Sequence, residues 1–176
     1  MRSLEVAKGN PAKTAEVYSG LASLYRSQGK EVKSDKMMAT ALAAAESGAS
    51  KAPPSNPEEA ERLGRLLQYA KRYAEAEPVL LQALKMQEKR YGAEEMIVSS
   101  SLLNLAQLYV SEGKLAAAEP LYKRAIVICE KQTPPHSSQL AVALSMYAQL
   151  LEKMKRTNEA KQMYERSDGL IQGSQR

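Results

Sequence analysis

Apolar positions along the chain recur with the spacing of helices. Leu102, Leu105, Ala106 and Tyr109 fall at i, i+3, i+4 and i+7, one stripe of an amphipathic helix. Gly113 is placed to end that helix, because glycine accepts the left-handed backbone of a helix C-terminus. A second stripe follows in Ala118, Tyr122, Ala125, Ile126 and Cys129. Small residues at Ala106 and Ala118 let the two helices approach closely as an antiparallel pair, with Tyr109 and Tyr122 filling the space beside them.

The same two-helix pattern returns at an offset of 42 residues. At that offset Leu63 meets Leu105, Gly64 meets Ala106, and Ala76-Glu77-Pro78 meets Ala118-Glu119-Pro120. One step earlier lie Leu21, Ala22, Tyr25 and Gly29; one step later lie Tyr147, Ala148, Leu151, Ala160 and Tyr164. Four copies on one spacing predict an all-α solenoid of four helix-turn-helix repeats. A lone hairpin buries too little apolar surface to offset its chain entropy, so neighbours must stack.

Boundaries follow from capping chemistry. Asn10-Pro11 and Asn56-Pro57 each set an N-cap residue before a proline suited to the first helical position. Glu59, three residues after Asn56, completes the pattern of a capping box. The expected division is a stub of a preceding helix or an extension at 1–9, then repeat 1 at 10–47 and a linker at 48–55. Repeat 2 follows at 56–92, repeat 3 at 93–133, repeat 4 at 134–169, and a polar tail at 170–176. Asn56 stands closer to Leu63 than Asn10 does to Leu21, which predicts a shorter first helix in repeat 2. The stub-like start also fits a chain that begins inside a longer array. The outer copies depart from the pattern: Lys71 and Lys155 stand where Gly29 and Gly113 do, and Ser167-Asp168 replaces Ala125-Ile126. A polar last helix predicts a terminal face turned to water. Pro78 and Pro120 predict a slight bend in their helices.

Composition removes several functions. Twenty-five Lys and Arg against twenty Asp and Glu give +5, but the basic residues are scattered among Glu, as at Lys71, Arg72, Glu75 and Glu77. No basic stripe is interleaved with aromatic platforms, so nucleic acid is not an expected partner. No apolar run is long enough to span a membrane, and MRSLEVAKGN lacks the apolar core of a secretion signal. The single Cys129 excludes an intramolecular disulfide and fits a reducing, cytoplasmic setting. His136, in PPHSS, reads as a residue leading into a helix, with no acid–base partner. Cys129 sits on the apolar stripe as an inert thiol, and two ligand-type residues are too few for structural zinc. The nine glycines form no phosphate cradle. No enzyme, cofactor or metal is expected.

The segment LLNLAQLYVSEGKLAAAEPLYKRAIVICEK, from Leu102 to Lys131, resembles the tetratricopeptide repeat (TPR), most closely the 42-residue form of kinesin light chains. The resemblance implies a right-handed α-solenoid and a non-catalytic scaffold that binds a peptide or protein segment, acidic or extended, in its concave groove. Carried over residue by residue, the groove face takes Arg26 from copy one and Arg62, Arg65 and Tyr69 from copy two. Copy three supplies Leu103, Asn104 and Gln107, and copy four Met146 and Gln149. Asn104 matches a family asparagine whose amide can pair with a peptide backbone. The family's carboxylate clamp for chaperone tails fails here. Around Asn104 its positions hold Glu61, Arg65, Val142 and Met146. The alternatives are an assembly module, monomeric or self-stacking through its terminal helices, and the regulatory arm of a multidomain enzyme.

Overall fold

A computed structural model describes residues 10–49, 54–132 and 137–173. Helices α1 (Pro11–Ser27), α2 (Glu31–Ala49), α3 (Pro57–Tyr69) and α4 (Tyr73–Tyr91) make the first two hairpins. The last two are α5 (Met96–Ser111) with α6 (Leu115–Lys131), and α7 (Ser137–Lys153) with α8 (Thr157–Gly173). The described residues hold no strand, and no helix long and apolar enough to cross a membrane. The fold is an all-α array of four helix-turn-helix repeats. The chain divides into two compact units, one up to Ala83 and one from Leu84. The 1–9 stub, residues 50–53 of the linker, His136 and residues 174–176 of the tail lie outside the described residues.

Each hairpin starts and turns by local rules. Asn10 Oδ1 accepts the Lys13 amide at 3.1 Å and Asn56 Oδ1 the Glu59 amide at 2.9 Å, each ahead of a first-turn proline. The Glu59 carboxylate bonds back to Ser55, its amide at 3.4 Å and its hydroxyl at 3.3 Å, one residue short of the expected box. Helix α3 has 13 residues against 17 in α1. Between the two helices of every hairpin the backbone passes through the left-handed region, at Gly29 (φ 69°), Lys71 (60°), Gly113 (77°) and Lys155 (61°). All four turns close with the same bond pair. In the third, Gly113 donates to Val110 O at 3.1 Å and Lys114 to Tyr109 O at 2.8 Å; in the fourth, Lys155 donates to Glu152 O and Arg156 to Leu151 O. The lysines therefore adopt the glycine conformation against its steric cost.

Packing inside the hairpins runs through small residues. Ala22, Ala106 and Ala148 are 0–1% exposed, as are their opposite numbers Ser34, Ala76, Ala118 and Ala160. In the second hairpin the position of Ala106 is held by buried Gly64, where a Cβ would stand 2.5 Å from Leu80 Cγ. Leu80 branches at Cγ; in the first hairpin the equivalent residue, opposite Ala22, is the unbranched Met38. Beside these contacts Leu102, Leu105 and Leu108 are 0–1% exposed, each burial contributing roughly 2 kcal/mol. Helices α4 and α6 run through Pro78 and Pro120, and exposed Ala74 and Ala116 carry the carbonyls those prolines cannot serve.

The last helix corrects one expectation. Asp168 is exposed, but Ser167 is 1% exposed, and its hydroxyl donates to Ala141 O at 3.0 Å. The polar residue is a core residue because a backbone carbonyl of the facing helix satisfies it.

Replacing Lys71 or Lys155 with glycine relieves left-handed strain and should raise stability by about 0.5 kcal/mol each, after the entropy of a freer unfolded chain. Thermal unfolding of the two variants checks this; a lowered Tm would contradict it. Gly64→Ala should lose about 1 kcal/mol, overpacking against Leu80 outweighing the better helix former. Together with Leu80→Met it should lose less than the sum of the two single changes, a coupling read from a double-mutant cycle in urea.

Candidate functional site

In the first unit the expected face is partly committed to internal contacts. Arg62 is half-buried; its Nη1 donates to Ala12 O at 3.2 Å and its Nη2 lies 3.8 Å from the Glu16 carboxylate. Together with Asn10, Glu59 and Leu63 it lines a cleft of about 200 Å³. The Tyr69 hydroxyl donates to the Asp35 carboxylate, which holds its pKa above the usual phenol range. The Arg26 guanidinium stacks 5.0 Å from the Tyr69 ring centre. Exposed Arg65 makes no ion pair among the described residues and is the open cation of this surface.

In the second unit, Asn104 and Gln107 stand half-buried one turn apart on α5. Gln107 Oε1 accepts the Tyr122 hydroxyl at 3.4 Å, which leaves its NH₂ group as the outward donor. Leu103 is only 5% exposed and packs in the core, so it offers no side-chain surface to a ligand. Met146 and Gln149 lie elsewhere, with Val142, Leu170 and Ile171 in a cleft of about 480 Å³ formed by α7 and α8.

Apart from Arg26 on the Tyr69 ring, the polar contacts named here between successive hairpins run one way, acceptor on the earlier and donor on the later. Within the first unit Arg62 reaches Glu16, Tyr69 reaches Asp35 and Arg72 reaches Glu46. Within the second, Arg124 pairs with Glu88 at 2.6 Å and, 42 residues on, Arg166 with Glu130 at 2.6 Å. The densest of these nodes is Glu119. It accepts from Lys123 at 2.7 Å, and from Arg156 and Tyr147 at 2.9 Å each, which holds its carboxyl down to about 2 against the cost of partial burial. A repeated Glu at 88 and 130 with a basic residue at 124 and 166 was the sequence signal for this ladder.

Neither catalysis nor metal chemistry gathers among these residues. Cys129 is fully buried, 3.2 Å from the Ser99 hydroxyl, and desolvation raises its pKa, which keeps the thiol protonated. No group of three His, Cys, Asp or Glu side chains is placed to hold an ion among the described residues.

Comparisons place the architecture. Residues 58–131 and 141–172 match models of the tetratricopeptide repeat. None of the curated proteins matches the chain. Among solved structures, BtubC (BKLC) from P. vanneervenii is 19% identical, with 99% of this chain and 69% of that one covered at a TM-score of 0.67. A candidate kinesin light chain of Podosopora anserina, with nearly identical TPR-like repeats, is 21% identical over 94% of this chain and 77% of its own, at a TM-score of 0.63. YrrB, a TPR protein with an unusual peptide-binding site, is 18% identical, covering 89% and 68% at a TM-score of 0.52. At such identities the likeness is one of fold.

The depressed Glu119 pKa gives a pH test. Its stabilisation is fully present above the carboxyl's ordinary range near 4.3 and is lost as pH falls through 2. Glu119→Gln should cost about 1–2 kcal/mol at pH 7, and the gap to the unaltered chain should close as pH approaches 2. Urea unfolding across that range measures both; a gap constant with pH would contradict the node.

Proposed function

This chain belongs to the tetratricopeptide repeat family, and on that premise we propose that it binds an extended, acidic peptide segment of another protein along its first helices. The family's fold is in general a protein–protein interaction scaffold, and nothing in the site geometry calls for chemistry on a substrate. The observation that carries the reading is the amide pair Asn104 and Gln107, half-exposed on α5 above Leu102, Leu105 and Leu108. Amides offer a donor and an acceptor at one point, the pairing that an extended backbone presents. In the first unit, Arg65 and the Tyr69-stacked Arg26 supply positive charge for carboxylates. YrrB, with its peptide-binding site on a related fold, lends the reading support by analogy.

Fluorescence anisotropy against a panel of labelled, Asp/Glu-rich, unstructured decapeptides tests it. Asn104→Ala should weaken the best binder roughly tenfold, as for the loss of one or two hydrogen bonds. For the first unit, Arg65→Ala should weaken binding of the acidic peptides and flatten its salt dependence. Full affinity in both single variants, or no binding anywhere in the panel at millimolar peptide, would overturn the assignment.

A further inference from the structure

One surface stripe of α3 and its counterpart 42 residues later on α5 carry different chemistry. On α3 it is Glu58, Arg62, Arg65 and Tyr69; on α5 the same positions hold Ser100, Asn104, Gln107 and Ser111. All of these residues are half-buried or exposed. Three charged side chains are thus replaced, position for position, by a hydroxyl and two amides. The exchange extends over the whole helix. Met96–Ser111 contains no Asp, Glu, Lys, Arg or His, whereas the shorter α3 carries Glu58, Glu59, Glu61, Arg62 and Arg65.

Charge in the second unit gathers instead on or beside the second helix of each hairpin, where it is paired. Glu119 is held by Lys123 and Arg156, Arg124 by Glu88, and Arg166 by Glu130. On the α5 stripe the bonds run to uncharged groups: Gln139 Nε2 donates to Ser100 Oγ at 2.8 Å, and the Tyr122 hydroxyl to Gln107 Oε1 at 3.4 Å. A charged guest side chain set against this stripe loses water and meets no opposite charge. An uncharged stretch of chain loses less, and its backbone N–H and C=O groups can pair with the amides.

We infer that the α5 stripe accepts an uncharged stretch of peptide and selects against carboxylates, which are left to Arg26 and Arg65 of the first unit. The inference rests on the reading that α5 binds a peptide, and it names what this part of the face takes: extended main chain with small hydroxyl or amide side chains. Ser100, Asn104 and Gln107 determine specificity by withholding the charge that Glu58, Arg62 and Arg65 carry at the same positions.

The test uses two labelled, unstructured decapeptides with blocked termini, one of Ser, Thr, Gln and Ala alone, the other with Glu at every third position. Anisotropy is read on the whole chain carrying Arg26→Ala and Arg65→Ala, which removes the first unit's contribution to charge selection. The uncharged peptide should bind at least about tenfold more tightly than the Glu peptide, with an affinity that added salt leaves unchanged. Adding Asn104→Arg and Gln107→Arg, which gives α5 the cations of α3, should reverse that order. Adding Asn104→Ala instead should weaken the uncharged peptide roughly tenfold. Circular dichroism melts establish that each variant folds. Equal affinities, no binding of the uncharged peptide at millimolar concentration, or an order that the two arginines do not reverse would overturn the inference. Acidic peptides that bind the unaltered chain when the uncharged one does not would sink it and leave the acidic-peptide reading standing; the opposite result would sink that reading and leave this one.

Discussion

Everything in this chain depends on how closely two helix backbones can approach within a hairpin. Each hairpin has two such crossings, set by small residues. The first is Ala22 with Ser34, Gly64 with Ala76, Ala106 with Ala118, and Ala148 with Ala160. The second is Ala15 with Ala41, Pro57 with Ala83, Ser99 with Ala125, and Ala141 with Ser167. At the second crossing a serine occurs on opposite helices in the last two hairpins: Ser99 donates to Ala125 O at 3.1 Å, and Ser167 to Ala141 O at 3.0 Å. Either side can hold the hydroxyl because the facing carbonyl lies equally near. A larger side chain at any of these points would separate the helices and uncover the leucines beside them, at a cost of kilocalories rather than tenths.

Close packing inside a hairpin leaves the outer apolar surfaces to be buried between hairpins, and apolar surface alone does not choose a register. The polar contacts do. Within each unit most of them pair an acceptor on the earlier hairpin with a donor on the later, which favours one register. Individually such half-exposed ion pairs are worth about 0–1 kcal/mol. Their role is therefore selection of the junction more than its strength. Only the Glu119 node, with three donors on one partly buried carboxylate, approaches the energy of a core contact.

The repeat, its helices and its small-residue crossings were legible because they rest on residue size at fixed spacing. What the spacing could not convey was conformation without composition. Lys71 and Lys155 read as departures from glycine, yet the backbone there turns as it does at Gly29 and Gly113. Ser167 read as solvent-facing, since polarity alone does not reveal a waiting carbonyl. The candidate face suffered from side-chain length: Arg62 and Tyr69 sit at the right positions on α3 but reach back to α1 and α2. Leu103 fell on the expected face by register and is covered by packing. Asn104, Gln107 and Arg65, which the family resemblance placed on this face, are half-buried, half-buried and exposed respectively.

One substitution pair separates the last hairpin from a mere repetition of the third. At the neighbouring positions 103 and 104 the third hairpin has Leu then Asn; at 145 and 146 the fourth has Ser then Met. Exchanging polar and apolar residues between adjacent helical positions turns the apolar stripe by about 100° around the helix axis. On α5 Leu103 is 5% exposed and Asn104 beside it is half-buried. On α7 the half-buried Met146 extends the apolar floor toward Ile171, while Ser145, whose hydroxyl lies 2.9 Å from that of Ser167, retreats into the hairpin. The polar position of Asn104 on the third hairpin is thus apolar, at Met146, on the fourth.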